Sequence, residues 1–219
     1  MHNSTAMSDG SARLEHMFEA AAGYELTSDP TVAGTAAPRT ATVAAATTAV
    51  GAVAAVRACL ATVQRLDHDL GDPQRVEVLR ALEELKAAAA AAQARVAADL
   101  DAAVRARDAA AGLPPAERGR GVAAQVALAR RDSPHRGGQH LGLATALVRE
   151  MPHTLAALDA GVLSEWRATL LVRETACLSR AHRGEVDRAL AGDPATLDGL
   201  GDRALAGRAR AVTAAGSSR

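Results

Sequence analysis

Residues 72–110, DPQRVEVLRALEELKAAAAAAQARVAADLDAAVRARDAA, decide the fold class. Asp72-Pro73 reads as a helix start, an Asp cap followed by Pro at the first helical position. No breaker interrupts the run until Gly112-Leu113-Pro114-Pro115. A helix is therefore predicted to about Ala110, roughly 36 residues and roughly 55 Å at ~1.5 Å per residue. Val78, Leu82, Leu85, Ala89, Ala92, Val96 and Ala103 fall on a heptad-like stripe broken by Asp99. Arg95–Asp99 and Asp101–Arg105 stand at i,i+4 on its surface. Such a stripe wants a partner helix, most simply a 43–67 helix folded back as a hairpin.

The rest of the composition agrees. Apolar residues make up 48% of the 219, yet Phe18, Tyr24 and Trp166 are the only aromatics. β-branched and aromatic residues are too sparse for a sheet, so an all-α fold is expected, its core filled by Leu, Val and Ala. Residues 40–56, TATVAAATTAVGAVAAV, carry no charge. They are Ala and Thr rather than Leu and Ile, and the run falls short of the roughly 20 residues of a membrane span. It reads as a helix packed inside the protein or against a partner. No basic stretch followed by an apolar one marks a secretory signal, and a cytoplasmic location with no membrane partner is expected. Cys59 and Cys177 lack a partner pattern and read as small buried hydrophobes in a reducing compartment.

Beyond Pro115 the punctuation predicts a bundle of short helices: 115–131, Pro134 to Glu150 behind a Ser133 cap, and Pro152 to Gly161. Ser164 then caps one through Cys177, Ser179 one to Gly192, and Thr196 one to about Ala215. Residues 1–42 alternate polar, small and breaker residues and are expected to be a mobile segment, with a short helix at about Leu14–Ala22. The helical domain is placed at 43–215, and Gly216–Arg219 is a tail.

Lys+Arg and Asp+Glu balance at 25 each, so no global field draws the chain to nucleic acid or anionic lipid. The one local bias is 117–149, where Arg118, Arg120, Arg130, Arg131, Arg136 and Arg149 face only Glu117 and Asp132. Arginines over tight turns could contact phosphates, which makes Arg118, Arg120, Arg130, Arg131 and Arg136 candidate DNA contacts. The plainer account is a solvated surface with salt bridges to neighbouring acids. Aromatic platforms for single strands are absent from this stretch.

His135 and His140 are five apart, off a common helical face, with no Cys or acid at zinc-like spacing. Arg118-Gly119-Arg120-Gly121 lacks the Lys and the strand–loop–helix setting of a phosphate loop. No nucleophile elbow or paired carboxylates occur. Ser164-Glu165-Trp166-Arg167 reads as a capped helix start whose Trp anchors the core. No catalytic residue, metal, cofactor or small-molecule substrate is expected, and the chain reads as not an enzyme.

Residues 119–180, GRGVAAQVALARRDSPHRGGQHLGLATALVREMPHTLAALDAGVLSEWRATLLVRETACLSR, resemble a known family. The points of likeness are the Ser133-Pro134 turn and the helix after it, Met151-Pro152-His153-Thr154, the Ala160-Gly161 to Leu163-Ser164 step, and Arg173-Glu174-Thr175. The family is the domain of unknown function 222 (DUF222), the 13E12-repeat proteins of actinobacteria, and the likeness extends from the 43–110 helices to about residue 213. The resemblance implies a helical domain that usually precedes an HNH endonuclease domain in proteins linked to mobile elements. No position here matches the HNH metal site, so no catalytic residue carries over. The reading that follows is a C-terminally truncated, non-catalytic helical module that associates with DNA through Arg118–Arg136. Two alternatives stand beside it, a helical module that self-associates through its long helix, and an inactive remnant of a longer protein.

Overall fold

The computed structural model describes residues 40–216, with side chains from 51 to 215. The helix expected at Leu14–Ala22 and residues 217–219 of the expected tail lie outside those limits, while Gly216 ends the last helix. Eight α-helices and no strand occur among the described residues. In chain order they are α1 Thr40–Val63, α2 Asp72–Ala110, α3 Val122–Arg130, α4 Pro134–Arg149, α5 Pro152–Asp159, α6 Glu165–Glu174, α7 Arg180–Ala191 and α8 Asp202–Gly216. The all-α expectation holds.

The described residues fall into two compact units, one up to Val78 and one from Leu79 onward, so the boundary lies within the first turns of α2. The units are taken one by one, and the hairpin expected between 43–67 and 75–110 spans both. In the first unit, the described part of 40–56 leaves its valines exposed, against packing inside the chain, the first of the two alternatives read for that stretch. Val53 is 52% and Val56 71% exposed. Cys59 is exposed too, as is Cys177 in the second unit, against the expectation that both are buried.

In the second unit α2 carries the bundle on a face other than the one its heptad stripe marked. Ala87, Ala90, Ala91, Ala94, Ala98, Asp101 and Val104 are its buried residues. Leu85, Ala89, Ala92, Val96 and Ala103 are exposed. The two sets lie on opposite sides of the helix at ~100° per residue. Alanine is apolar everywhere around this helix, so periodicity alone could not choose a side; the side used is the one richest in alanine. Asp101 is tolerated there because both of its oxygens accept from Arg105 Nε at 2.9 Å, the i,i+4 pair read from the sequence. Arg95, by contrast, leaves Asp99 and meets Asp159 in a two-pronged pair at 2.9 and 3.0 Å.

Leu147, Met151, Leu158, Leu163, Leu171, Leu190 and Leu205 form the large part of the core, each under 2% exposed. Full burial of such a side chain stabilises by about 1.5–3 kcal/mol. A smaller cluster of Val104, Val122 and Val126 joins α2 to α3. Helices α3 and α4 pack closely: a Cβ on Gly137 would lie 2.2 Å from Ala123 O and 2.6 Å from Ala127 Cβ, so only glycine fits.

Caps set the short helices as the sequence indicated at three of four places. Ser133, Ser164 and Ser179 each accept from the backbone N–H three residues on. Thr196 does not open the last helix. Its hydroxyl donates back to Leu190 O and Asp193 O within a 3-10 turn at Pro194–Leu197, and α8 begins only at Asp202. The single helix expected at 115–131 is likewise a 3-10 turn followed by α3, because Gly119 and Gly121 take φ of 77° and 87° between them.

Helix α5 has Met151 at its N-cap, which offers no side-chain acceptor. The acceptor comes from α7. Asp187, fully buried, receives His153 N at 2.8 Å, Thr154 N at 2.9 Å and Thr154 Oγ1 at 2.6 Å. Arg183, one turn earlier on α7, donates to the Thr175 and Ala176 carbonyls beyond α6 and to Glu150 after α4. One helix thus closes the ends of its neighbours.

Candidate functional site

The five candidate DNA contacts come from the turn before α3, its C-terminus and the start of α4. Arg118 is half-buried and its Nε donates to Leu113 O at 2.9 Å, which closes the turn after α2. The adjacent Gly119 N–H donates to Asp108 Oδ2 at 2.8 Å. Arg130 pairs with Glu165 on α6 at 2.9 Å. Arg136 Nε lies 3.5 Å from Asp132, whose other oxygen is 2.9 Å from His140 Nε2. The hydrogen bond from His140 holds the Asp132 carboxyl below the usual aspartate range, and the Arg136 charge adds to the effect. Three of the five arginines are therefore committed within the chain. Glu165, the acid that commits Arg130, and Leu113, whose carbonyl holds Arg118, both lie outside the 117–149 window in which the charge bias was counted.

Arg120 and Arg131 are exposed and make no side-chain hydrogen bond or ion pair among the described residues. Arg131 occupies an unusual backbone position. It follows α3 with φ 57° and ψ 40°, the only non-glycine positive φ among the described residues. Its N–H bonds to Leu128 O and that of Asp132 to Ala127 O at 2.8 Å, the paired helix ending that glycine normally occupies. A non-glycine there costs roughly 1–2 kcal/mol.

His135 is exposed and within 3.0 Å of Gln139, away from the His140–Asp132 pair. No group of three His, Cys, Asp or Glu capable of holding a metal occurs among the described residues. No helix among them is long and apolar enough to cross a membrane.

Two further surfaces stand out, one on the heptad stripe already read along 85–103 and one that the sequence reading missed. The first is the outer face of α2, where Val96 is 68% and Leu85 38% exposed. The second is a shallow groove of about 410 Å³ between α6 and α8, lined by Trp166, Leu170, Asp202, Arg203, Ala206 and Arg210. Trp166 was expected to anchor the core, but it is 53% exposed. It follows the Glu165 that pairs with Arg130, and α6 turns Ala168, Leu171 and Val172 inward instead. The local pattern Ser-Glu-Trp-Arg gives no signal of that choice; the larger period of α6 does, since 168, 171 and 172 share a face and 166 does not.

No family model, curated protein or solved structure matches the chain.

Proposed function

We propose that this chain is a non-catalytic helical binding module that self-associates through the outer face of α2. The observation that supports the reading is a second apolar stripe on a helix whose first is already buried. Leu85, Ala89, Ala92, Val96 and Ala103 run at heptad spacing along the exposed side, a length of about 27 Å at ~1.5 Å per residue. A globular surface helix needs only one such stripe; two on opposite sides suit a helix with a partner on each. The test is light scattering across protein concentrations. The wild type is expected to associate as concentration rises, and Val96→Glu, at a site with no buried contact to lose, is expected to stay monomeric. A wild type that is monomeric throughout would sink the proposal.

A second reading, DNA association, is supported by Arg120 and Arg131, the two candidates whose guanidinium groups have no partner among the described residues. Arg131→Gly separates structure from binding, because glycine relieves the positive φ and should stabilise the fold while removing a phosphate contact. Gel shifts on duplex DNA at two salt concentrations are expected to show salt-dependent binding weakened by Arg131→Gly and Arg120→Ala. Undiminished binding by the double variant, or none at low salt, refutes it.

The motifs at 133–134, 151–154 and 173–175 support membership in DUF222 as a proposal, and with it the place of a helical module in an HNH-endonuclease-associated, mobile-element-linked protein of an actinobacterium. Genomic sequence beyond codon 219 tests this part: HNH codons in any frame favour it, and none in any frame counts against it.

A further inference from the structure

Trp166 is the only tryptophan of the chain, and α6 places it on the surface although no aromatic is buried among the described residues. Two contacts fix the indole there. Its Nε1 donates to Asp202 Oδ2 at 3.1 Å, and the other oxygen of Asp202 accepts from Arg167 Nε at 3.2 Å. The ring is thus held by its N–H edge while it lines the groove together with Leu170 and Ala206. A rigid, half-exposed Trp with an apolar floor is the kind of residue that dominates protein interfaces.

The charges on the groove differ in their commitments. Asp202 is occupied by Trp166 and Arg167, and Glu174 accepts from Arg210 at 3.0 Å. Arg203 is exposed and has no hydrogen bond or ion pair among the described residues. Both carboxylates therefore have cationic or N–H partners, and one guanidinium is left over. What complements this surface is a large apolar side chain with a carboxylate beside it. Duplex or single-stranded nucleic acid fits worse, since the Asp202 carboxylate stands on the wall and no second aromatic joins the Trp.

We infer that the groove between α6 and α8 docks an acidic peptide segment of a partner protein, with an apolar side chain seated on Trp166, Leu170 and Ala206 and a carboxylate paired with Arg203. The inference is independent of the outer face of α2. A planar guanidinium favours a two-pronged carboxylate pair, so a lysine at 203 would be a poor substitute.

Because Trp166 is the sole indole, its fluorescence in the full chain reports the groove directly. The probes are the peptide Glu-Glu-Leu-Phe-Glu-Glu and its counterpart with Lys at every Glu. The acidic peptide is expected to shift the emission to the blue saturably and to shield the indole from iodide. Arg203→Glu should weaken it at least tenfold, and the Lys peptide should bind that variant better than it binds the wild type. Position 203 is exposed, so the variant folds, and circular dichroism checks that it has. No blue shift with the acidic peptide overturns the inference. So does equal binding of both peptides, or equal binding to wild type and Arg203→Glu, which would mark simple apolar adhesion. An indole already blue-shifted and shielded before any peptide is added also overturns it, since the groove would then be filled by the chain itself.

Discussion

Replacing Asp187 with Ala removes the acceptor at the start of α5 without touching α5 itself. Three donors lose their partner: His153 N, Thr154 N and Thr154 Oγ1. The hydroxyl can rotate toward another acceptor, but the two N–H groups cannot. Each buried unsatisfied donor costs about 1–3 kcal/mol, so the expected loss is about 4 kcal/mol, a large part of the about 5–15 kcal/mol that a domain has in total. Asp187→Asn keeps the shape and one acceptor oxygen but turns an amide toward an N–H, and about 2 kcal/mol is expected. The internal control is Asp193, which caps the 3-10 turn at Ala195 N from an exposed position; its Ala variant should lose only about 0.5–1 kcal/mol. Urea unfolding followed by circular dichroism gives all three values, provided the slope m is unchanged. An Asp187→Ala loss no larger than that of Asp193→Ala would refute the claim that a side chain from α7 supplies the cap of α5.

Neighbouring glycines of α4 should respond in opposite directions. Gly137→Ala meets Ala123 O and Ala127 Cβ and is expected to destabilise by about 1–2 kcal/mol after its gain in helix propensity, whereas Gly138→Ala meets nothing and should stabilise by about 0.5–1 kcal/mol; thermal melts of both check this, and a stabilised Gly137→Ala would contradict the close α3–α4 contact. Thr213 buries a hydroxyl with no hydrogen-bond partner, so Thr213→Val should raise Tm by about 2–4 °C, from about 1 kcal/mol in a chain of this size. Asp132 has a carboxyl pKa lowered in the fold, so its stabilisation is complete above the unfolded value of about 3.9 and disappears as pH falls through the lower folded one. The gap in urea midpoint between wild type and Asp132→Ala should therefore be full at neutral pH and close in the acid range, and a gap that widens there would reverse the assignment.

What could be read in the sequence follows the reach of each interaction. Serine caps span three residues, and Ser133, Ser164 and Ser179 behave as read. Asp101–Arg105 spans four and also holds. Thr196 fails because the carbonyls of Asp193 and Leu190, three and six residues back, engage its hydroxyl instead. Partners brought together by the tertiary fold were invisible: Arg95 finds Asp159, and Arg130 finds Glu165. That is why the candidate DNA surface looked more cationic in sequence than it is in the fold. Trp166 and the two cysteines were placed inside by the average habit of their residue types, which says nothing about the register of one short helix.

The two apolar sides of α2 also pose a problem of uniqueness. A helix that could bury either side has two near-degenerate ways to meet the bundle, related by about half a turn, and local frustration of this kind slows the search for one native state. Hydrophobic burial decides weakly between them, because alanine dominates both. Charge can decide where burial does not. With the helix rotated, Arg95 would lose its two-pronged pair with Asp159, and Asp101 would leave the buried face on which Arg105 receives it. Arg95 and Asp101 thus discriminate between orientations more than they add to stability. Weakening them would be felt first as heterogeneity of the folded ensemble and only later as a lower melting point.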